Sequence, residues 1–265
     1  MRLLLTNDDG IHADGLAVLE RIAAAISSDV WVCAPETEQS GASRALTLAE
    51  PLRVRAAGPR RFAVRGTPTD CVMLAIQHLI EGAPPDLVLS GVNRGLNAAE
   101  DVTMSGTVAG AIEGMAMGIP AIALSQMMRY ASPGEENPFQ VAEQFGPGLV
   151  ARLAEVGWPA GVVMNVNFPA GAVEEVGEVE VTRQGFRDAR TRYAERRTDL
   201  RGRDYFWLGY RPEPSSPDEG TDLRAAYEGR ISVTPLHIDL THEATLTSLR
   251  GRLDRAAAKL VGADG

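Results

Sequence analysis

The sequence predicts an α/β fold, in which helices cover both faces of a mostly parallel β-sheet. Short apolar runs of strand length alternate with amphipathic runs of helix length along most of the chain. Polar, glycine-containing loops follow the apolar runs, which is typical of the carboxyl ends of parallel strands. The 265 residues are enough to bury a large core. We expect a core over residues 1–177 and a C-terminal region over residues 178–265.

The first predicted strand ends in two adjacent carboxylates. Residues 2–5 are too few for a helix, and Asn7, Asp8, Asp9 and Gly10 follow with the composition of a turn. Ligands of open α/β sheets bind at the carboxyl edge of the strands. Two adjacent carboxylates repel each other, and a hard divalent cation with oxygen ligands offers a reason for the pair. The ordinary alternative is a solvated turn, which this stretch alone favours.

The next segments form a β-α-β unit with a second polar loop. Residues 16–26 have helical spacing, and residues 30–34 form an apolar run of strand length. The loop over residues 36–43 contains Ser40 and lies at the carboxyl end of this second strand. We therefore expect Ser40 on the same sheet edge as the paired carboxylates.

The middle of the chain predicts a strand pair and a well-capped helix. Residues 46–65 alternate around a Gly-Pro turn and indicate two strands, with an excursion from the main sheet as one option. Thr67, Pro68 and Asp70 have the spacing of a helix start, and the helix should end near Ile80. We assign this motif a structural function.

Two further motifs place oxygen donors and an anion site on the chain. Residues 86–93 form an apolar strand that opens at Asn93 into a loop containing Asn97. A helix then begins at Ser105-Gly106-Thr107, where free N–H groups and the helix dipole favour an anion. A strand at residues 120–125, a helix at 138–156 and a strand at 161–169 continue the alternation.

The C-terminal region differs from the rest of the chain in amino-acid composition. Eight arginines fall between Arg183 and Arg203, interleaved with aromatic residues. Such a stretch is compatible with nucleic-acid binding, but alternating acidic residues favour an extended arm, at about 183–220, that packs on another subunit. A short helix at 221–228, a strand at 230–234 and a terminal helix at 243–261 should follow.

Composition excludes several functions. The net charge of −9 argues against broad binding to nucleic acids or anionic membranes. The longest apolar stretches fall short of the about 20 residues that span a bilayer, and no signal-peptide pattern begins the chain, so we expect a cytoplasmic protein. The two cysteines, Cys33 and Cys71, are too few for a disulfide framework or a zinc site of spaced ligands.

Together, the polar motifs predict a site for phosphate-ester hydrolysis. A hard cation such as Mg²⁺ or Mn²⁺ prefers oxygen ligands and keeps positions for water and a phosphate oxygen. The oxygen donors at the three strand ends are Asp8, Asp9, Ser40 and Asn93.

Several longer motifs carry a resemblance to a known family: Leu5-Thr-Asn-Asp-Asp-Gly10, Ala34-Pro-Glu with Ser40-Gly-Ala-Ser43, Gly66-Thr-Pro-Thr-Asp-Cys71, Ser90-Gly-Val-Asn93 with Gly95 and Asn97, Ser105-Gly-Thr107, and Val233-Thr-Pro-Leu-His-Ile-Asp239. They resemble the stationary-phase survival protein SurE family over nearly the whole chain. The resemblance implies a Rossmann-like core and a metal-dependent 5′-nucleotidase that hydrolyses nucleoside monophosphates. It also implies one divalent cation per subunit, and a C-terminal arm exchanged between subunits of a homodimer or homotetramer.

The resemblance also implies residue functions. Metal ligands fall on Asp8, Asp9, Ser40 and Asn93, the two aspartates also being the catalytic candidates, and phosphate contacts fall on Asn97, Ser105, Gly106 and Thr107. Two departures are visible. Asp14 stands where the family usually has proline, and Glu38 stands where asparagine is frequent. Neither removes a ligand, but Glu38 adds negative charge near the site and leaves the substrate preference of its loop open.

Other readings remain beside this one. A dinucleotide-binding oxidoreductase needs Gly-x-Gly-x-x-Gly after the first strand, where this chain has carboxylates that would repel a pyrophosphate. An aspartyl-phosphate enzyme and one using metal-activated water need the same residues, so the nucleophile stays open. A broader phosphomonoesterase or exopolyphosphatase at the same site is the alternative activity. A non-enzymatic interaction protein built around the arm leaves the oxygen ligands unexplained. None of the histidines, His12, His78, His237 and His242, is assigned to catalysis.

Overall fold

The computed structural model describes residues 1–129, 137–187, 192–210 and 215–253. The strands are β1 Arg2–Thr6, β2 Asp29–Pro35, β3 Val54–Gly58, β4 Arg61–Val64, β5 Leu87–Arg94, β6 Ala121–Gln126, β7 Val163–Phe168, β8 Val179–Val181, β9 Arg192–Thr198, β10 Asp204–Tyr210 and β11 Ile231–Leu236. The helices are α1 Asp14–Ala24, α2 Pro68–Leu74, α3 Gly106–Ala116, α4 Gln140–Val156, α5 Asp222–Tyr227 and α6 Glu243–Leu253.

The main sheet has nine strands in the order β3-β4-β2-β1-β5-β6-β7-β11-β8. Neighbours from β4 through β7 pair in parallel, whereas β3 and β11 run antiparallel to β4 and β7. β1 lies between β2 and β5, and Leu5 aligns with Val32 and Leu89. The predicted α/β class with a mostly parallel sheet is confirmed, and the end of β1 lies near the middle of the carboxyl edge.

Alternate residues of each central strand are buried on opposite faces. Leu3 and Leu5 of β1 pack into a cluster that includes residues of α1 and α4. Leu4, between them, packs into a second cluster with residues of α2 and α3. The apolar run of β1 is therefore buried on both sides, as expected for a central parallel strand.

The predicted helix start at Thr67 is confirmed as a capping box. The Thr67 hydroxyl accepts from the Asp70 N–H, and the Asp70 carboxylate accepts from the Thr67 N–H. The regular helix ends at Leu74, and a π-helical turn, Ala75–Leu79, completes the span predicted to end near Ile80. The strand pair at residues 46–65 belongs to the main sheet, because β4 pairs with β2.

The C-terminal region contributes both to the main sheet and to a separate hairpin. β8 and β11 extend the sheet beyond β7, whereas β9 and β10 form a two-stranded antiparallel sheet of their own. Parts of the predicted arm, residues 188–191 and 211–214, and the end of the predicted terminal helix, from residue 254, lie outside the described residues. In the described part of the chain, no helix combines the length and apolar character needed to cross a membrane.

Candidate active site

The turn after β1 is fixed by hydrogen bonds to the loop after β2. The N–H of Ile11 donates to Pro35 O at 2.8 Å, and the N–H of Gln39 donates to Asp8 O at 2.8 Å. The Asn7 side chain closes the turn by donating to Gly10 O at 3.0 Å. These bonds join two of the polar loops that the sequence placed on one sheet edge.

Asp8 is a buried carboxylate that packs against the start of α3. Only 5% of its surface is exposed. The Thr107 hydroxyl donates to Asp8 Oδ1 at 2.5 Å, and an added Cβ on Gly106 would lie 2.7 Å from Asp8 Cβ. Burial raises the pKa of Asp8 to about 6, against the effect of the Thr107 hydrogen bond and with a contribution from the charge of Asp9.

Asp9 is partly exposed and lies near the end of β5. Burial raises the pKa of Asp9, and the Arg94 N–H bonded to its carboxylate lowers it. The charge of Glu38 raises this pKa, and the charge of Arg94 lowers it. Within the described residues, neither Asp8 nor Asp9 forms an ion pair with a basic side chain. The charge of Arg94 acts on Asp9 without forming an ion pair, so the pair of carboxylates is only partly compensated by the described residues.

Ser40 is exposed in the loop after β2, and its hydroxyl donates to Glu38 Oε1 at 2.8 Å. The same loop is held to the segment before α3, because the Ser43 hydroxyl donates to Thr103 O at 2.9 Å. Donation to Glu38 leaves the lone pairs of the Ser40 oxygen available to a cation.

Asn93 lies at the end of β5, beyond a register shift between β5 and β6. Gly91 permits a close approach of the two strands there, since an added Cβ would lie 2.2 Å from Leu124 O. The Asn93 amide nitrogen donates to Gly95 O at 2.9 Å. This bond leaves the amide oxygen as the Asn93 atom that can face a cation.

α3 begins with an N-cap that also belongs to the site. The Ser105 hydroxyl accepts from the Val108 N–H at 3.0 Å. A hydroxyl that accepts one bond still carries a proton to donate. The N–H groups of the first turn and the dipole of an 11-residue helix favour an anion at this position.

Asn97 is held by a buried polar network that sequence reasoning missed. Its amide donates to Ser125 Oγ at 2.9 Å, and its N–H donates to Asn167 Oδ1 at 2.9 Å. Asn165 and Asn167 both donate to Asn97 O, at 2.7 and 3.1 Å. The available signal was the pair of asparagines at alternate positions of an otherwise apolar strand, β7.

The predicted residues divide into two groups. Gly106 and Thr107 touch Asp8 directly, whereas Ser40, Asn93 and Asn97 have their hydrogen bonds with other partners. No group of three or more His, Cys, Asp and Glu side chains suited to a metal occurs among the described residues. The predicted donor set instead combines two carboxylates with a hydroxyl and an amide.

A mostly parallel sheet with polar loops and a helix N-terminus at its carboxyl edge places the chain among the α/β proteins that bind ligands at that edge. The model of the family described as "Survival protein SurE" matches residues 3–191. The chain belongs to the SurE family.

Full-length relatives agree with this assignment. A protein named 5′-nucleotidase SurE from Caulobacter vibrioides is 69% identical, over 99% of this chain and 100% of the relative. One of the same name from Phenylobacterium zucineum is 68% identical, over 98% of this chain and 100% of the relative. The crystal structure of a SurE protein from Aquifex aeolicus superposes with a TM-score of 0.80 at 36% identity, over 95% of this chain and 99% of that one.

Proposed function

We propose that the chain is a divalent-metal-dependent 5′-nucleotidase that hydrolyses nucleoside monophosphates to nucleoside and phosphate. The observation that carries the proposal is the Asp8–Asp9 pair, whose charge has no ion-pair partner in the described residues and which abuts the N-terminus of α3. The names of the full-length relatives support the same activity.

The donor set fits a hard cation. Asp8 is 5% exposed and its pKa is raised, so its charge is poorly compensated by the protein alone. Asn7 Oδ1 is also buried without a partner among the described residues. We assign one Mg²⁺ or Mn²⁺ per subunit, held by Asp8, Asp9, Ser40 and Asn93. Such a cation neutralises phosphate charge and stabilises the charge that develops during displacement.

The protein's own contribution is to bind and orient the phosphate. We assign this function to Asn97, Ser105, Gly106 and Thr107. The Ser105 proton and the N–H groups of the first turn of α3 are donors suited to phosphate oxygens. Thr107 has a second function, because its hydroxyl fixes Asp8 Oδ1. Phosphoryl transfer depends mainly on such positioning and charge stabilisation.

The β9–β10 hairpin supports a homo-oligomer. Phe206, Trp207 and Leu208 are 61%, 60% and 85% exposed on β10, and aromatic and apolar residues of this kind are enriched at subunit interfaces. We propose a homodimer or homotetramer assembled through this arm. We also keep residues 1–177 as the catalytic core, with β8 and β11 of the C-terminal region completing its sheet.

The activity is tested by removing the metal and adding back single cations. Hydrolysis of a panel of nucleoside monophosphates should disappear with chelator and return with Mg²⁺ or Mn²⁺, while a polyphosphate substrate tests the broader alternative. Asp9→Asn should weaken metal binding and turnover together. Asp86→Asn is the matched control, since Asp86 accepts from the Arg2 N–H at 2.6 Å at the opposite sheet edge. Full activity in excess chelator would refute the proposal.

A further inference from the structure

Arg94 is a basic residue directly beside the proposed metal ligands. It ends β5, immediately after Asn93, and its backbone N–H is bonded to the Asp9 carboxylate. The residue is exposed, and its guanidinium forms no ion pair within the described residues. By contrast, Arg187 is held between Glu100 and Asp101, at 3.2 and 2.7 Å. The charge of Arg94 acts on Asp9, but no ion pair among the described residues holds its guanidinium in place.

The charge of the site gives this arginine a use. Asp8, Asp9 and Glu38 carry three negative charges at one edge of the sheet, and one divalent cation leaves the group with a net negative charge. A nucleoside monophosphate brings a dianionic phosphate to the same place, so repulsion opposes its binding. The α3 N-terminus contributes only about half a positive charge. An additional cation at the mouth would lower this repulsion.

We propose that Arg94 is a substrate-binding residue whose guanidinium contacts the phosphate of the nucleoside monophosphate. The inference rests on the proposed function and adds a residue to it. A guanidinium has a rigid fork of donors that matches two phosphate oxygens, and it keeps its charge at every working pH. Pairing with Gln126 of β6 and the Asp9 bond fix the backbone of Arg94, so its side chain starts beside the proposed metal ligands, and its charge already acts on Asp9.

Removing the negative charge of Glu38 changes the charge of the site in the opposite direction to removing the positive charge of Arg94. Its carboxylate accepts from Ser40 Oγ at 2.8 Å and acts on Asp9 through its charge. Removing this charge should weaken cation binding and lower the repulsion of phosphate. Removing the Arg94 charge should weaken phosphate binding and leave cation binding equal or stronger. The two variants therefore separate an effect on the phosphate from an effect on the metal.

The test compares Arg94→Gln, Arg94→Lys and Glu38→Gln with wild-type protein. Arg152→Gln is the control, because Arg152 is exposed in the last turns of α4, with Glu155 as its ion-pair partner. Calorimetry measures Mg²⁺ or Mn²⁺ affinity without substrate and then inorganic phosphate affinity of the loaded protein. Steady-state kinetics on a nucleoside monophosphate give KM and kcat. Thermal melting checks that each variant is folded.

Arg94→Gln should raise KM and the phosphate Kd by about 5- to 20-fold and change kcat much less, because the contact exists in both ground and transition states. Arg94→Lys should give KM and phosphate Kd values between those of wild type and Arg94→Gln, because lysine keeps the charge but lacks the fork of donors. The difference from wild type should shrink at high salt, because the site is open to solvent. Glu38→Gln should lower the affinity for the metal and leave the affinity for phosphate equal or higher.

Two results would overturn the inference. One is a phosphate Kd for Arg94→Gln within about twofold of wild type, too small for the loss of a charged hydrogen bond. The other is an equal loss of metal and phosphate affinity, which would mean that Arg94 supports the metal ligands and does not contact the phosphate. Both outcomes leave the proposed function standing if the wild-type protein hydrolyses nucleotides. If it does not, the phosphate calorimetry still decides the function of Arg94.

Discussion

Gly106→Ala tests how the start of α3 and the proposed metal ligand Asp8 depend on each other. An added Cβ would lie 2.7 Å from Asp8 Cβ, 2.8 Å from Asp8 Oδ2 and 3.0 Å from Asp8 Cγ. Real Cβ atoms do not approach carbon this closely, so one group must move. The Asp8 Cβ follows the backbone of the β1 turn, which is tied to the Gln39 N–H. We expect the carboxylate to swing away from its bond with Thr107.

The contact between Gly106 and Asp8 sets the expected changes in stability and in metal affinity. Overpacking a closed contact costs about 1–3 kcal/mol, and alanine gains up to about 1 kcal/mol over glycine within a helix. The free energy of unfolding should therefore fall by only about 0–2 kcal/mol. Metal affinity should fall by about 10- to 100-fold, which is typical when the support of a ligand is lost. The variant should be folded but poorly loaded.

The assay measures divalent-cation affinity by calorimetry and stability by denaturant unfolding without metal. Gly114→Ala is the matched control in the same helix, because its Cβ would lie 2.8 Å from Val88 Cγ2 in the apolar core. It should lose similar stability and keep wild-type metal affinity. If Gly106→Ala also kept wild-type metal affinity, Asp8 would not be a ligand whose position depends on this contact. Our assignment of the helix start would then be wrong.

Three further predictions concern other parts of the molecule. Thr107→Val removes the donor to Asp8 and should weaken metal binding about tenfold, whereas Thr107→Ser should keep it; equal calorimetric affinities for both would contradict this. Asp222→Ala should lower the denaturant-measured free energy of unfolding by about 3 kcal/mol or more, because three backbone N–H groups lose their acceptor; a loss below about 1 kcal/mol would contradict it. Replacing Phe206 and Trp207 with serine should lower the oligomeric state measured by light scattering, with the exposed Val156→Ser on α4 as the control. An unchanged molecular mass would exclude the arm as the subunit interface.

The sequence could predict those features that depend on local pattern. β1 was recognisable because an apolar run of strand length ends at a turn, and the structure has Asp8 and Asp9 at that end. The capping box at Thr67 and Asp70 was recognisable because its residues are only three positions apart. Both predictions use contacts between near neighbours, for which spacing along the chain is a direct guide to spacing in the fold.

Features that depend on distant pairing were not predictable in this way. The pairing of β4 with β2 places the strand pair in the main sheet, whereas the sequence left an excursion open as one option. No local pattern of residues 46–65 distinguishes the two arrangements. Thr107 belongs to a motif with the composition of an anion site, but its hydroxyl donates to Asp8, 99 positions earlier. In both cases the deciding partner lies far along the chain, so only the tertiary structure identifies it.

The segment between the proposed phosphate contacts Asn97 and Ser105 also depends on distant residues. Ala99 has φ of 56°, a conformation that costs a residue with a Cβ about 1–2 kcal/mol. Its N–H donates at 3.0 Å to Asp222, a fully buried carboxylate that also accepts from Gly185. Arg187 holds the next two residues through ion pairs. Because this segment runs from Asn97 to Ser105, residues of the C-terminal region keep it in a conformation that its own sequence disfavours.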